Sequence, residues 1–258
     1  IGFKANIRGL GLQLVQNTHW GHWGGGLFSG KGDINSTEFN TPIRSDVDYL
    51  GGLIQGAVKV NPWVVNLGIT YLHSKHHLRQ YNHYFHLKSD SEIDVAGIQA
   101  GMAWPQYYGD WLVTPAAHLE FWHTHQPGNE ITGDGNKLYV RSKGSQDYRQ
   151  LPLSLTVQGP NLISGSHAKV RLIPQFDIRF IPTWGDRQLS TEVSLKNDTG
   201  TTVEPVVLST PEMDKTSTEL GVGLQVARGL IDGNLRYNAR HSSHTLSQQI
   251  SADIVWRF

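Results

Sequence analysis

Apolar and polar residues alternate along most of this chain, and this two-residue period restricts its fold more than any other feature. The clearest segment is Thr218 to Val226, where Leu or Val recurs at every second position from Leu220 onward. Extended strands place successive side chains on opposite faces, so this segment has one apolar and one polar face. Helical spacing is hard to find in any long window. The pattern therefore predicts a chain that is nearly all β.

The alternation recurs in at least five more segments, and their polar faces carry charged or amide side chains. These segments are 65–71, 151–158, 168–180, 234–240 and 250–258. No run of about twenty apolar residues exists, which excludes a helical membrane span. Strands that alternate lipid-facing and lumen-facing residues keep a low mean hydropathy, so a transmembrane β-barrel remains open. The formal net charge of zero gives no electrostatic reason to expect a nucleic acid partner.

Tryptophans stand at or near the ends of the predicted strands rather than at their centres. Indole rings prefer the two interfaces of a membrane, whereas a soluble core would bury them in mid-strand. The residues in question are Trp63, Trp104, Trp111, Trp184 and Trp256. Their positions favour a membrane barrel with aromatic girdles.

Short and long connections alternate between the predicted strands. The short ones are 61–62, 105–110, 159–165 and 228–230, and the long polar ones are 31–45, 78–90, 126–145 and 185–215. Bacterial barrels have short periplasmic turns and long external loops. We therefore expect an all-β, antiparallel, up-and-down transmembrane barrel in the bacterial outer membrane, with its carboxy terminus in the periplasm.

The number of strands poses a parity problem. Counting back from Phe258 gives about eleven strands, whereas single-chain bacterial barrels have an even number. Two explanations are open: one strand lies upstream of Ile1, or the alternating segment Leu189 to Lys196 is itself a barrel strand. No linker divides the chain, so residues 1–258 are expected to form one barrel domain.

Segments 8–14, 23–28, 48–53, 112–121, 173–177, 219–224 and 252–258 carry motifs whose order resembles that of the autotransporter β-domain, the secretion barrel of type V secreted proteins. Leu112 to Phe121 is similar to the family's Leu-x-Pro-Gln-Ala-x-Leu-x-Tyr strand. Arg8 to Leu14 resembles its early Gly-Leu-Gln-Leu strand, and Ala252 to Phe258 its terminal insertion signal. Further resemblances lie in 23–28, 48–53, 173–177 and 219–224. The resemblance extends over nearly the whole chain.

Membership of this family implies about twelve strands around a polar lumen, which holds a linker joining the barrel to a secreted passenger. Neither the linker helix nor a passenger is present in this sequence, so both are expected upstream. The implied function is that of an outer-membrane anchor and pore for passenger secretion. The implied partners are the lipid bilayer, the barrel assembly machinery and the chain's own linker. The insertion signal for that machinery would comprise Ile254, Trp256 and Phe258. A closed barrel has no free strand edge, so we expect a monomer.

Charged residues on the polar faces are candidates for lining the lumen and contacting the linker. They are Glu120, Arg171, Asp177, Arg179, Glu219, Arg236, Arg240, Asp253 and Arg257. The alternative is that they only pair with one another across strands.

No catalytic, cofactor-binding or metal-ligating residue is expected. The thirteen histidines have no matching cysteine or carboxylate spacing that would predict a metal site. His118 and Glu120 share a strand face with Trp122 and Thr124. The simpler interpretation is a ladder of polar side chains along the lumen. The alternative is that these groups orient a catalytic serine. Two other functions stay open: a porin-like channel, and a lipid-modifying enzyme of the outer membrane.

Overall fold

The computed structural model describes residues 3–36, 43–81, 86–133, 138–163, 170–196, 206–210 and 212–256. Regular secondary structure in these ranges is entirely β-strand. Across the same ranges, no helix has the length and apolar character that a membrane span requires. The strands are β1 (Phe3–Thr18), β2 (Gly21–Ser36), β3 (Ile43–Val60), β4 (Trp63–Tyr81), β5 (His86–Ala103), β6 (Gln106–Tyr108), β7 (Trp111–Gln126), β8 (Asn129–Thr132), β9 (Leu138–Arg141), β10 (Gly144–Gln150), β11 (Leu153–Gln158), β12 (Arg171–Gly185), β13 (Ser190–Lys196), β14 (Val206–Ser209), β15 (Thr216–Arg228), β16 (Ile231–Ser242) and β17 (Leu246–Trp256).

The long strands pair in chain order and antiparallel, which makes an up-and-down sheet. The succession is β1, β2, β3, β4, β5, β7, β10 with β11, β12, β15, β16 and β17. β10 and β11 count as one strand because both pair with β7 on one side and β12 on the other. Leu151 and Pro152 interrupt it, and proline has no N–H to give to the ladder.

The sheet exposes its apolar side chains on one face. Leu10, Ile54, Leu220 and Ile254 all lie on this apolar face, and Leu10 and Ile254 are 87% and 82% exposed. The buried hydrophobic residues among those described are few: Val47, Ala57, Ile131, Ile181, Leu189 and Ala227. A soluble monomer does not tolerate an apolar surface of this extent. The apolar face is therefore the surface that contacts lipid, and the opposite, polar face lines the interior.

The two ends of the sheet differ. Tight turns join β1 to β2, β3 to β4, β6 to β7 and β15 to β16, and we call this the short-turn end. Gly109 and Gly229 adopt φ values of 61° and 60° in two of these turns, a conformation that L side chains rarely adopt. The step from β5 to β6 and the connection from β11 to β12 also lie at the short-turn end, and the remaining connections lie at the opposite end, which we call the long-loop end. The predicted long loops 126–145 and 185–215 lie at the long-loop end. The predicted loop 78–90 is mostly strand, because β4 continues to Tyr81 and β5 begins at His86.

A small additional sheet lies at the long-loop end. β8 pairs with β5 and β9, β9 with β13, and β13 with β14. The segment Leu189 to Lys196 therefore does form a strand, β13, but its partners lie outside the succession of long strands. It does not restore an even strand number.

The first and last strands meet no partner on their outer edges among the described residues. Eleven long strands are present there, and no ladder joins β1 to β17. Both strands are exposed along almost their entire length, on the polar as well as the apolar face. The even count of about twelve is not reached within the described ranges.

Four of the five tryptophans lie at the short-turn end. Trp63 and Trp111 begin β4 and β7, Trp104 follows β5, and Trp256 ends β17. The rings of Trp63 and Trp104 pack together with centroids 5.3 Å apart. Trp184, near the end of β12, lies at the long-loop end. The predicted placement at strand ends is confirmed, but the girdle is heavier at the short-turn end.

Candidate functional site

Charged side chains of β12, β15 and β16 form adjacent rows on the polar face. Arg179 is in register with Glu219, and Glu219 with Arg240. The nearest approach of Arg179 Nη1 to Glu219 Oε2 is 3.8 Å, and the Glu219 side chain is only 15% exposed. Arg240 Nε donates to Ser217 Oγ at 3.0 Å. Cations and a carboxylate thus alternate along this row. Opposite charges in register on neighbouring strands stabilise the sheet, whereas like charges would destabilise it.

The next row toward the short-turn end contains Asp177, the most deeply buried charged side chain of this network of charged residues on β12, β15 and β16. Asp177 is in register with Gly221, and its side chain is 6% exposed. Arg236 Nη2 donates to Asp177 Oδ1, and Arg236 Nε donates to Asn238 Oδ1 at 2.9 Å. A Cβ at Gly221 would lie 2.4 Å from Asp177 Oδ1. Glycine there leaves the space through which the Arg236 and Asp177 side chains meet across β15.

Two atoms of this network lack a hydrogen-bond partner among the described residues. Asp177 Oδ2 and Arg179 Nε are both buried, and neither has a donor or acceptor in range. Burying a polar atom without a hydrogen-bond partner raises the free energy of the folded state. Both atoms therefore favour the presence of a further polar group on this side of the interior.

β7 contributes a second polar cluster. Trp122 Nε1 donates to Glu120 Oε2 at 3.0 Å, and the Trp122 ring lies over Gly97 of β5, where a Cβ would be 2.4 Å from the ring. His118 Nε2 lies 3.2 Å from Asn66 Nδ2. His118 and Glu120 share the polar face as expected, and their contacts are those of a polar ladder. The partner of His118 is an amide and not a serine hydroxyl.

Charged side chains are concentrated on one part of the polar face. Among the described residues of β1 to β5, the only Lys, Arg, His, Asp or Glu at polar-face positions are Lys59, His22 and His76. Glycine, Gln, Asn and Ser dominate there, with Tyr49 and Phe28 packed together at 6.5 Å between ring centroids. All the carboxylates and guanidinium groups of the network lie on β7 and on β12 to β17.

The remaining sequence candidates occupy simpler positions. Arg171 and Asp253 are exposed on the polar face, in register with Ala227 and Asn234 respectively. Ile254 and Trp256 lie on the apolar face of β17. Arg257 and Phe258 lie outside the described residues. Asn66, Ser217 and Asn238 were missed by sequence reasoning, although the same two-residue period that singled out their charged neighbours includes them.

Histidines on the apolar face at the long-loop end pair with carboxylates. The Nδ1 atoms of His73, His77 and His123 lie 2.7 to 2.8 Å from Asp94, Asp90 and Asp147. Within the described ranges, no group of three or more His, Asp or Glu could hold a metal ion. Ser74 Oγ lies 3.0 Å from His76 Nε2, but Ser74 is buried and its hydroxyl also contacts the Ile93 carbonyl.

The sequence of this chain matches one known protein family over most of its length. The profile of the autotransporter β-domain family matches residues 3–238 of this chain. The chain belongs to the autotransporter β-domain family. Comparison with curated protein sequences gives no match.

Solved structures of autotransporter barrels share the fold of this β-domain. The translocator domain of NalP from Neisseria meningitidis aligns with a TM-score of 0.72 at 12% identity, over 100% of this chain and 82% of that one. The β domain of the Bordetella autotransporter BrkA aligns with a TM-score of 0.62 at 12% identity, over 99% and 92% of the two chains. The predicted family and the antiparallel all-β barrel are thereby confirmed. Autotransporter β-domains are outer-membrane barrels, so the predicted membrane is confirmed as well.

Proposed function

We propose that this β-domain is the outer-membrane anchor and pore through which an N-terminal passenger reaches the cell surface. The observation that carries the proposal is the combination of an exposed apolar face, which holds the strands in lipid, with a polar face that carries charge. A polypeptide can cross beside such an interior without exposing its backbone to hydrocarbon. The protein's role requires no chemical step, and we propose that it is not an enzyme.

Within this function, the charged half of the lumen binds the segment that joins barrel and passenger. The unpartnered Asp177 Oδ2 and Arg179 Nε favour this role over mutual pairing alone, because a linker that lies against β12, β15 and β16 could supply the absent partners. Glu120, Arg236 and Arg240 flank that position, and Arg171 and Asp253 extend it toward the short-turn end.

The unpaired edges of β1 and β17 favour one further strand in the complete barrel. A strand upstream of Ile1, antiparallel to both, would satisfy their free N–H and C=O groups and give the even number typical of bacterial barrels. Residues 1–258 would then supply eleven of twelve wall strands. A barrel closed in this way has no edge left for association, so the protein acts as a monomer.

The orientation follows from the loop lengths: short turns and the carboxy terminus lie in the periplasm, and the long loops lie outside. Since the chain has no cysteine, single-cysteine variants test this directly. In intact cells, a membrane-impermeant maleimide should label Ser243→Cys, in the β16–β17 hairpin, and should leave Asp110→Cys, in the β6–β7 turn, unlabelled. The reverse labelling would overturn the orientation.

The terminal strand acts as the signal for the barrel assembly machinery. Ile254 and Trp256 are exposed side by side on the apolar face of β17, where a recognition surface is accessible before the barrel closes. Phe258 would extend the same set of alternate positions.

The pore function is tested by conductance in a planar bilayer, with the chain refolded with and without its natural upstream residues. A wide, noisy conductance that the upstream segment blocks supports the proposal. A stable and selective conductance that is indifferent to that segment would replace it with a channel function. A serine-directed phosphonate tests the enzymatic alternative, and covalent labelling of the folded protein would contradict the non-enzymatic role.

A further inference from the structure

Three cations lie side by side on the apolar-face side of the sheet, beyond the apolar band at the long-loop end. Arg44 of β3 is in register with Arg79 of β4, and Arg79 with Lys88 of β5. All three side chains are exposed, Arg44 at 68%. Residues directly opposite on neighbouring strands have Cβ atoms about 4.5–5.5 Å apart, and like charges there destabilise the sheet. We call Arg44, Arg79 and Lys88 the cation row.

No carboxylate stands within the cation row. Its register neighbours at either end are Asn35 on β2 and Thr132 on β8. The nearest acids belong to the next row, and there Asp90 is paired with His77 at 2.7 Å. Asp46 forms a long ion pair with Arg44, with 3.8 Å between Arg44 Nε and Asp46 Oδ1. Arg79 and Lys88 have no ion pair or hydrogen bond among the described residues.

The next rows toward the membrane differ in this respect. Lys31 pairs with Asp48 at 3.1 Å, and Lys75 pairs with Glu92 at 3.3 Å, so each of these two lysines has its own carboxylate. Within β3, β4 and β5, the cation row is therefore the row in which outward-facing cations face one another with no carboxylate between them. An arrangement of this kind is complementary to an external anion, and two guanidinium groups suit the oxygens of a phosphate.

The height of the row identifies the kind of anion. Tyr71 is the last residue of the apolar band on β4, and Arg79 lies eight residues further along the same strand. At ~3.3 Å per residue and a strand tilt of ~40°, this places the row roughly 20 Å beyond the band. The phospholipid headgroup region extends only ~5–8 Å beyond the hydrocarbon. Phospholipid phosphates are too low to reach the row, whereas a phosphorylated sugar chain on a glycolipid extends far enough.

We propose that the cation row binds the phosphorylated sugar head group of a glycolipid in the outer leaflet. The proposal rests on the orientation given above, with the long loops outside. Bound phosphate relieves the repulsion among Arg44, Arg79 and Lys88 and fixes the height of β3 to β5 relative to the leaflet. The site is on the barrel exterior, so it is independent of passenger transport through the lumen.

The test measures binding of phosphorylated lipopolysaccharide to the purified full chain in detergent. The double variant Arg79→Gln/Lys88→Gln is compared with Lys31→Gln/Lys75→Gln, which removes the same charge from the same face. The first variant should weaken binding about tenfold or more, because charge-assisted bonds to phosphate are among the strongest polar contacts. The second should change it less than about twofold, because each removed cation was already neutralised by its neighbour.

Three outcomes would overturn the proposal: an equal loss in both variants, unchanged binding in the first, or equal binding of lipopolysaccharide stripped of its phosphates. Equally strong binding to nanodiscs of phosphatidylglycerol would also overturn the proposal, because the cation row would then bind anionic surfaces in general. Retained heat-modifiable migration of both variants shows that they fold. Because binding is measured on the isolated protein, a failure of the orientation is detected separately, by the cysteine labelling.

Discussion

Asp177 and Arg236 form an ion pair across the strand that separates them, and Gly221 of that intervening strand provides the space for it. The pair joins β12 to β16 over β15. Asp177 is 6% and Arg236 30% exposed, so most of this contact is removed from water. Removing one partner of a buried ion pair leaves an uncompensated charge and strongly lowers the free energy of unfolding. Substitutions at this pair should therefore destabilise the barrel more than substitutions at other polar residues of the interior.

Replacing Asp177 with Ala should therefore lower the free energy of unfolding by about 3 kcal/mol, because Arg236 would keep a half-buried charge without its carboxylate. Urea-induced unfolding in lipid vesicles, followed by tryptophan fluorescence, measures the change. Asp253→Ala removes an exposed carboxylate from the same face and should have an effect below about 0.5 kcal/mol. Combining Asp177→Ala with Arg236→Ala should recover part of the loss. A loss for Asp177→Ala no larger than that of the control would contradict the structural role of the pair.

The space at Gly221 provides a second prediction. Gly221→Ala would bring a Cβ to 2.4 Å from Asp177 Oδ1 and 2.6 Å from Asn238 Oδ1, and should destabilise the barrel by about 1–3 kcal/mol. Gly223→Ala is a matched control two residues along the same face, where the nearest atom is 3.4 Å away. The same unfolding experiment compares the two. Equal stability of both variants would show that the carboxylate moves aside without cost.

The β16–β17 hairpin is tied to the segment before β15 by a carboxylate with a depressed pKa. Hydrogen bonds from Ser242, and from the side chain and backbone of His244, lower the pKa of Asp214 to about 2 from its ordinary 3.8. A depressed pKa means that the ionised form stabilises the folded loop above pH 3.8, and that this contribution is lost as the pH falls toward about 2. The His244 amide, which donates to Asp214 Oδ2 at 3.0 Å, reports on the contact.

Hydrogen exchange of the peptide that contains His244 should therefore show protection that falls more steeply below pH 3.8 than the intrinsic exchange rate accounts for. In Asp214→Asn this additional pH dependence should disappear. Asp110→Asn, in the β6–β7 turn at the opposite end, should leave the profile unchanged. The same pH profile in the wild type and in Asp214→Asn would remove Asp214 as its cause.

Trp256 provides a test of the terminal strand. It lies on the apolar face of β17, and Val255 beside it lies on the polar face. Trp256→Ala should reduce the fraction of newly made protein that reaches the heat-resistant, membrane-inserted form, because an interfacial anchor and a recognition side chain are lost together. Val255→Ala should assemble like the wild type. Pulse-chase labelling with heat-modifiable migration measures both, and equal delays in the two variants would exclude a face-specific signal.

Much of the architecture follows from the alternation alone. In β15, the positions of Leu220 and Val222 determine which face meets lipid, and the same period places Glu219 on the opposite face. The tight turns were also accessible to sequence reasoning, since the Asn61-Pro62 and Arg228-Gly229 steps separate segments of clear alternation. Strand ends beyond the membrane were not, because past Tyr71 both faces of β4 are polar and the period loses its contrast. Ser74 and His77, for example, lie on opposite faces of β4, but both are polar, so the sequence does not distinguish the two faces there.

What the sequence by itself determined is therefore the fold class, the lipid-facing set and the family, because each depends on local period and on the order of motifs. Only the tertiary structure decided that Asp177 meets Arg236, that His118 meets Asn66, and that Arg44, Arg79 and Lys88 share one row. It also decided that Leu189 to Lys196 pairs outside the wall. These are contacts between strands distant in the chain. They depend on register, which a two-residue period leaves undetermined, since a shift by two residues keeps every side chain on its face and changes every partner.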